Sequence, residues 1–380
     1  MLENQRHLFN IPQDVHYLNC AYMSPLLKSA VQAGHAAIDA KARPWCISPT
    51  DFFVYSNTAR ELFASLINAR AEDISIASSV SYGTATAALN VPLNSGEKVL
   101  VLAEEFPSNL YSWRVKAKAC GAEIKVVERP EDTNWTAAVL SALEDKSVTV
   151  VVIPQTHWID GGQLDLEAIA AARALHDFAL VIDLTQSLGV VGVDVQTIQP
   201  DFLICATYKW LLGPYALGFV YVNPRHHSGI PLEQGWINRP GAEDFSRLID
   251  YVDEINLDAT RFDMGERSNF HLMPIAIAGL EQIHRWGLSE IETSLRDYTQ
   301  ALRHQLEEIG FIACDERYRS PHYLGVQHAD GLPENILGQL AEEKIYLSKR
   351  GDSLRISPHL YNNEMDAMSL VSALKNSLRS

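Results

Sequence analysis

The chain has 380 residues, 47 % of them apolar and 21 % charged, enough to bury a large core and suggesting roughly two domains at about 150 residues each. Its 47 acidic residues outnumber 31 lysines and arginines, and the resulting net charge of −16 argues against nucleic acid or an anionic membrane surface as a partner. The five cysteines are scattered, odd in number and without a Cys-x-x-Cys pair, and no His-Glu-x-x-His occurs, so neither a disulfide framework nor a metal site is expected.

The N-terminal residues Met1 to Arg6 lack the apolar stretch of a signal peptide, and the longest apolar runs, such as Val148–Ile153, are far short of a membrane span. Together with the cysteine usage, this predicts a reducing, cytoplasmic setting. No internal repeat or low-complexity tract interrupts the chain.

Between about residues 70 and 222, short apolar runs alternate with helical patterns. The expected strands are Val99–Ala103, Ile124–Val127, Val148–Ile153, Leu180–Asp183, Phe202–Ala206 and Leu217–Val222. Ser108 or Asn109 is expected to cap a helix ending near Gly121, Thr133 to cap another, and Asp165 to open an Ala-rich third. This alternation predicts an α/β fold with a mainly parallel central sheet covered by helices on both faces. Residues 217–222 follow Ala206 too closely for a helical crossover, so that strand should run antiparallel or add at an edge. The stretch Pro224 to Gly265 is irregular. Beyond about residue 285 the pattern changes to a long helix, about Ser289–Ile309, then short strands near Tyr323–Val326 and Leu354–Ser357. Helices near Glu334–Glu343 and Asn363–Leu378 flank them, which reads as a smaller α+β domain. The expected division is an N-terminal arm 1–15 packing on that domain, a large domain 16–284 and a small C-terminal domain 285–380.

The most informative residue is Lys209, in Phe202-Leu203-Ile204-Cys205-Ala206-Thr207-Tyr208-Lys209-Trp210. A lysine at the mouth of a buried strand, between two aromatic residues, is poorly solvated, and desolvation lowers its pKa. A neutral amine attacks an aldehyde, so this is where a Schiff-base lysine sits. Leu180-Val181-Ile182-Asp183 ends in a carboxylate suited to a protonated pyridine nitrogen, and Gln186 follows, suited to the ring's phenolic oxygen. Both Asp183 and Lys209 fall at carboxyl ends of strands, where open α/β sheets bind ligands. Gly83-Thr84 opens a helical pattern whose amides suit an anion.

This joint pattern resembles the class V aminotransferase family of fold type I pyridoxal phosphate (PLP) enzymes, in which Asp-x-x-Gln precedes a strand and the PLP lysine. The likeness spans most of the chain. Tyr17–Pro25 resembles the segment at the substrate entrance, Ser78–Thr84 the phosphate loop, and Glu105–Asn109 the segment that stacks an aromatic residue or histidine on the PLP ring. Thr156–Gly162 matches a strand-end loop, and Leu354-Arg355-Ile356-Ser357-Pro358-His359 the substrate-carboxylate arginine. Within the family it is most similar to isopenicillin-N-epimerase-like and kynureninase-like members.

The resemblance implies PLP as cofactor on catalytic Lys209, with Asp183, Gln186, Phe106, Gly83, Thr84, Tyr208 and His157 binding it and Arg355 holding a substrate carboxylate. It implies a homodimer with shared active sites acting on a small amino acid or keto acid. Aminotransfer is the first expectation. PLP-dependent C–S or kynureninase-type C–C cleavage, or epimerisation, is the alternative, and a PLP-fold binding protein the non-enzymatic one. The intact Lys209, Asp183 and Gln186 favour an enzyme. Two departures from the family pattern stand out. Met264-Gly265-Glu266-Arg267 replaces the Gly-Thr that reaches a partner's phosphate, leaving Arg267 as the possible substitute. Glu343 to Leu354 contains no cysteine, which argues against persulfide formation.

Overall fold

All six strands expected between residues 70 and 222 form in the computed structural model, which describes residues 2–378, and a seventh joins them. After a two-residue strand β1 (His16–Tyr17) come β2 (Ile74–Ala77), β3 (Lys98–Leu102), β4 (Glu123–Val127), β5 (Val148–Pro154), β6 (Ala179–Asp183), β7 (Phe202–Ala206) and β8 (Gly218–Val222). The sheet order is β2-β8-β7-β6-β5-β3-β4. The run from β4 through β7 is parallel, while β8 is antiparallel to both β7 and β2. The missed strand is β2, only four residues long. Its Ile-Ser-Ile-Ala sequence alternates like a half-exposed strand, yet all four residues are buried.

Helices cover both faces: α1 (Lys28–Lys41), α2 (Asp51–Leu66), α3 (Val80–Asn90), α4 (Pro107–Cys120), α5 (Trp135–Ala142), α6 (Leu166–Ala171), α7 (Val195–Ile198) and α8 (Leu272–Trp286). Alternate strand residues feed two cores. Leu100, Val151, Ile153, Ile182 and Leu203 pack with Phe63, Val139 and Ala276. Val99, Val101, Val152, Val181 and Ile204 pack with Val80, Trp113 and Ala117 on the other side. Near-continuous burial of this kind is what a parallel sheet covered on both faces requires.

Helix ends differ in detail from expectation. Asp165 caps α6 by accepting from Ala168 N–H, and Gly121 ends α4 at φ 77°. However, α4 starts at Pro107, preorganised by its fixed φ, so neither Ser108 nor Asn109 caps it. Thr133 sits at φ 60° and Asn134 caps α5 instead.

The C-terminal part contains α9 (Leu288–Glu307), α10 (Ile336–Glu342) and α11 (Glu364–Ser377), the last opened by a reciprocal capping box between Asn363 and Asp366. Strands β9 (Phe311–Ala313), β10 (Leu324–His328), β12 (Ser348–Arg350) and β13 (Ser353–Ile356) make an antiparallel sheet ordered β12-β13-β10-β9, and β11 (Ile345–Tyr346) pairs in parallel with β1. Leu302, Phe311, Leu324, Ile356, Leu370 and Leu374 form a separate core, joined by Leu18. The N-terminal segment touches both parts. Gln5 N–H donates to Leu360 O (2.8 Å), whereas Phe9 packs into the core of the large sheet.

Candidate active site

A cavity of about 200 Å³ opens at the carboxyl ends of β5, β6 and β7, between the start of α3 and the start of α4. Lys209 lies in it at the end of a tight turn. Gly213 N–H donates to Thr207 O (2.9 Å), and a Cβ on Gly213 would lie 2.6 Å from that of Thr207. On the other side Gly189, at φ 109°, admits the backbone of Trp210, whose carbonyl oxygen would lie 2.2 Å from an added Cβ. The Cys20 thiol donates to Lys209 O (3.9 Å), and Ser24 N–H to Tyr208 O (3.0 Å), so the Tyr17–Pro25 segment braces the lysine turn from outside.

Lys209 is 6 % exposed, with Nζ 5.7 Å from the Phe106 ring centre and 5.5 Å from that of Tyr208. Burial pulls its pKa down to about 8; the Asp183 charge opposes this and Arg355 adds to it. Asp183, at the end of β6, is pushed above the usual carboxylate range by burial, against hydrogen bonds from Thr185 and the charge of Lys209. Thr185 N–H donates to Asp183 Oδ1 (2.8 Å), while Thr185 Oγ1 accepts from Ala206 N–H (3.1 Å), tying the ends of β6 and β7 together. Gln186 also lines the cavity. It donates to Ala21 O (3.1 Å) and accepts from Trp210 Nε1–H (3.1 Å), which leaves one amide hydrogen for a ligand.

Across the cavity stands the junction of β3 and α4. Phe106 meets Trp158 edge to face, ring centres 5.4 Å apart, and both line the cavity with Tyr208. Glu105, beside them, was not singled out by the sequence. It is buried, its Oε1 accepts from Phe106 N–H (2.7 Å), and among the described residues its Oε2 has no close hydrogen-bond partner, although the Asn109 side chain acts on the carboxyl. Burial pushes its pKa up to about 7, against the pull of His157.

Several expected ligands are placed differently. Helix α3 begins at Val80, so Ser78, Ser79, Val80 and Ser81 face the cavity, while Gly83 and Thr84 lie a turn further on and do not. Gly83 serves packing: a Cβ there would lie 2.8 Å from Ile204 Cγ2 and 2.9 Å from Val220 Cγ2. Thr84 is fully buried with its hydroxyl unpartnered. Ser79 caps the helix by accepting from Tyr82 N–H, and the Val80 and Ser81 amides have no intrahelical acceptor. The four-residue run Ser-Ser-Val-Ser carried the N-cap signal that locates this start.

His157 is likewise not part of the cavity wall. It stacks on Trp135 (4.8 Å) with Nδ1 on Asp160 (3.0 Å) and Nε2 on Ala103 O (3.3 Å). Burial lowers its pKa, but Asp160 outweighs burial and the net shift is upward.

Arg355 is not among the residues lining the cavity, yet it lies close enough for its charge to lower the Lys209 pKa. Its Nε donates to Ser348 Oγ (2.9 Å) and an Nη to Trp158 O (3.1 Å), and its guanidinium lies 5.6 Å from the Trp158 ring centre. Arg267 turns inward to Asp263 (3.2 Å) and Phe53, so it is not presented for a neighbouring subunit.

The sequence profile described as Aminotransferase class-V matches residues 50–372. The chain is 24 % identical to a kynureninase of Shouchella clausii, across 97 % of this chain and 90 % of that one. It is 22 % identical to a probable cysteine desulfurase of Pyrococcus abyssi, across 85 % and 83 %. Among solved structures, a C-DES variant with glycine covalently linked to its PLP cofactor superposes with a TM-score of 0.87 at 19 % identity, covering 98 % of this chain and 99 % of that one. The fold is therefore that of the fold type I PLP enzymes, and this chain belongs to the class V aminotransferase family of PLP-dependent enzymes.

Proposed function

We propose that this protein is a PLP-dependent lyase that cleaves a side-chain bond of a small α-amino acid, with Lys209 carrying the cofactor and Arg355 holding the substrate carboxylate. The residues of the cavity fit the group. The unpaired amides of Val80 and Ser81 at the start of α3 suit a phosphate, the buried Asp183 suits a pyridine nitrogen, and Phe106 offers a ring face. Gln186 and Tyr208 supply further hydrogen-bonding groups on the same wall. When bound, PLP supplies an electron sink beside the substrate α-carbon.

The observation that carries the reading is that Lys209 and Glu105 share one cavity, the amine lowered to about 8 and the carboxyl raised to about 7. A pair of groups shifted toward neutrality in this way can both take and give protons near pH 7. Moving a proton between two carbons, as transamination requires, needs one such group, and Lys209 suffices. Releasing a side-chain fragment calls for a second group to protonate what leaves, and Glu105, whose Oε2 has no close partner among the described residues, suits that task. Trp158 and Phe106 form an aromatic wall of the cavity, and Arg355 beside Trp158 has an Nη left to take a carboxylate.

The names of the relatives agree with cleavage chemistry: kynureninase, cysteine desulfurase, and C-DES, described as a cystine C–S lyase. No cysteine lines the cavity among the described residues, and Cys20, Cys205 and Cys314 are buried with pKa values raised by burial. A reaction that passes sulfur to a protein thiolate is therefore not the one favoured. Aminotransfer is the second reading, carried by the family description and by relatives named as uncharacterized aminotransferases.

The test is to incubate the PLP-loaded protein with a panel of amino acids in the absence of any keto acid. Catalytic release of a side-chain fragment is expected, the remainder leaving either as a shortened amino acid or as a keto acid with ammonia. Turnover that occurs only when an acceptor keto acid is added would establish aminotransfer instead.

The reading includes a homodimer. A second cavity, of about 590 Å³ and lined by Phe52, Trp236, Met264, Glu266 and Phe270, meets the first at Ser78 and Ala216. Nearby in sequence, Ile249, Tyr251 and Leu257 are 82 %, 94 % and 87 % exposed, an apolar surface of the sort that a partner subunit covers.

A further inference from the structure

The hairpin of β12 and β13 carries two arginines to one indole. Arg350 and Arg355 flank a turn at Gly351-Asp352, with Ser348 opposite Arg355 and Arg350 opposite Ser353 in the ladder. Their guanidinium carbons lie 5.8 Å and 5.6 Å from the centre of the Trp158 ring, and that ring lines the active-site cavity. Arg355 is anchored by Ser348 and by Trp158 O. Among the described residues, the Arg350 side chain hydrogen-bonds to the carbonyl of its own neighbour, Lys349 (2.8 Å).

Among the described residues, neither arginine has a carboxylate within ion-pairing distance. This is unexpected in a chain with sixteen more acidic than basic residues, where Arg60, Arg129, Arg173 and Arg225 each pair with an aspartate or glutamate. Two like charges beside one ring repel, and the pKa of Arg350 is lowered first by burial and then by Arg355. A monocarboxylate relieves half of this unbalanced charge. A ligand with two anionic groups relieves all of it, and beyond the bonds already named each guanidinium keeps an Nη to offer.

We propose that the substrate is a dianionic amino acid, in which Arg355 takes the α-carboxylate and Arg350 recognises a second anionic group on the side chain. This rests on the reading of Arg355 given above and deepens it. Arg350 is then a specificity-determining residue, and Trp158 is the surface that holds the two cations apart at a fixed spacing.

The test is calorimetric titration of the PLP-loaded protein with succinate and with butyrate, a dianion and a monoanion of equal chain length. Succinate is expected to bind at least about tenfold more tightly, as one additional charge-assisted pair implies. Arg350→Gln should abolish that preference while leaving butyrate unchanged. Arg350→Met, which keeps an apolar stem against Trp158, should do the same if the Gln variant is unstable. Equal affinities for the two acids in the unmodified protein would overturn the proposal. So would an Arg350 variant that keeps the preference, or one that weakens both acids equally. The readout is independent of turnover. A succinate preference without release of a side-chain fragment from any amino acid would refute the lyase reading alone, and fragment release with equal affinities would refute this proposal alone.

Discussion

The Lys209 amine sits 5.7 Å from the ring centre of Phe106 and 5.5 Å from that of Tyr208, and among the described residues it has no hydrogen-bond partner. The two π-faces favour the ammonium, by up to about 2 kcal/mol for a desolvated pair, but burial is the largest influence and brings the amine down to about 8.

A first prediction follows from the sign of that shift. The folded pKa lies below the model-peptide value of 10.5, so the buried ammonium destabilises the fold at pH values below about 8, and the penalty fades as pH rises toward 10.5. Lys209→Met should therefore stabilise the cofactor-free protein at pH 7 by on the order of 3 kcal/mol, with the gain shrinking at alkaline pH. Urea unfolding at the two pH values checks this. A variant no more stable than the parent at pH 7 would show that the lysine is solvated.

The second concerns Glu105, whose folded pKa of about 7 lies above its ordinary 4.5. A raised carboxyl stabilises the fold fully below the unfolded value, and that contribution is lost as pH climbs through the folded one. Glu105→Gln should match the parent near pH 4.5, then gain an advantage that grows up to pH 7 and levels off above it. The plateau should be on the order of 3 kcal/mol. A flat difference across that range would mean that Glu105 is ionised throughout.

Gly83 and Ser79 separate packing from phosphate binding. Gly83→Ala forces a methyl to within 2.8 Å of Ile204 and should cost about 1–3 kcal/mol of stability with little change in PLP affinity of the folded protein. Ser79→Ala removes the α3 cap, costs about 1 kcal/mol and should weaken PLP binding as well. Thermal melting and fluorescence titration with PLP distinguish the two. The opposite assignment of effects would restore Gly83 as a phosphate ligand.

Most of the sheet was legible because buried parallel strands are continuous apolar runs, and the Asp183–Lys209 pair was legible because both residues end such runs. What escaped was local or three-dimensional. The start of α3 lies three residues before Gly83, because Ser79 accepts from Tyr82 N–H and caps the helix there. His157 lies just beyond β5, yet the Trp135 and Asp160 side chains turn it away from the cavity. Glu105 carried no signal of its own, since only burial beside Phe106 makes its carboxyl unusual. Arg350 gained meaning only from the Trp158 ring that it shares with Arg355.

The proposed dimer predicts a particle of twice the 42.3 kDa chain mass in sedimentation equilibrium at micromolar concentration. Replacing exposed Ile249 and Tyr251 together by Asp should dissociate it, because two buried carboxylates at an apolar contact are strongly unfavourable. A monomeric parent protein with full PLP binding would contradict this.

The most direct test is to fix the cofactor in place. The PLP-loaded protein is reduced with borohydride, digested, and its peptides mapped by mass spectrometry. The phosphopyridoxyl mass is predicted on the peptide that contains Lys209, the buried amine lowered to about 8. A label instead on Lys98 or Lys125, both ion-paired to Asp145, or on any other lysine, would contradict the assignment of the active site.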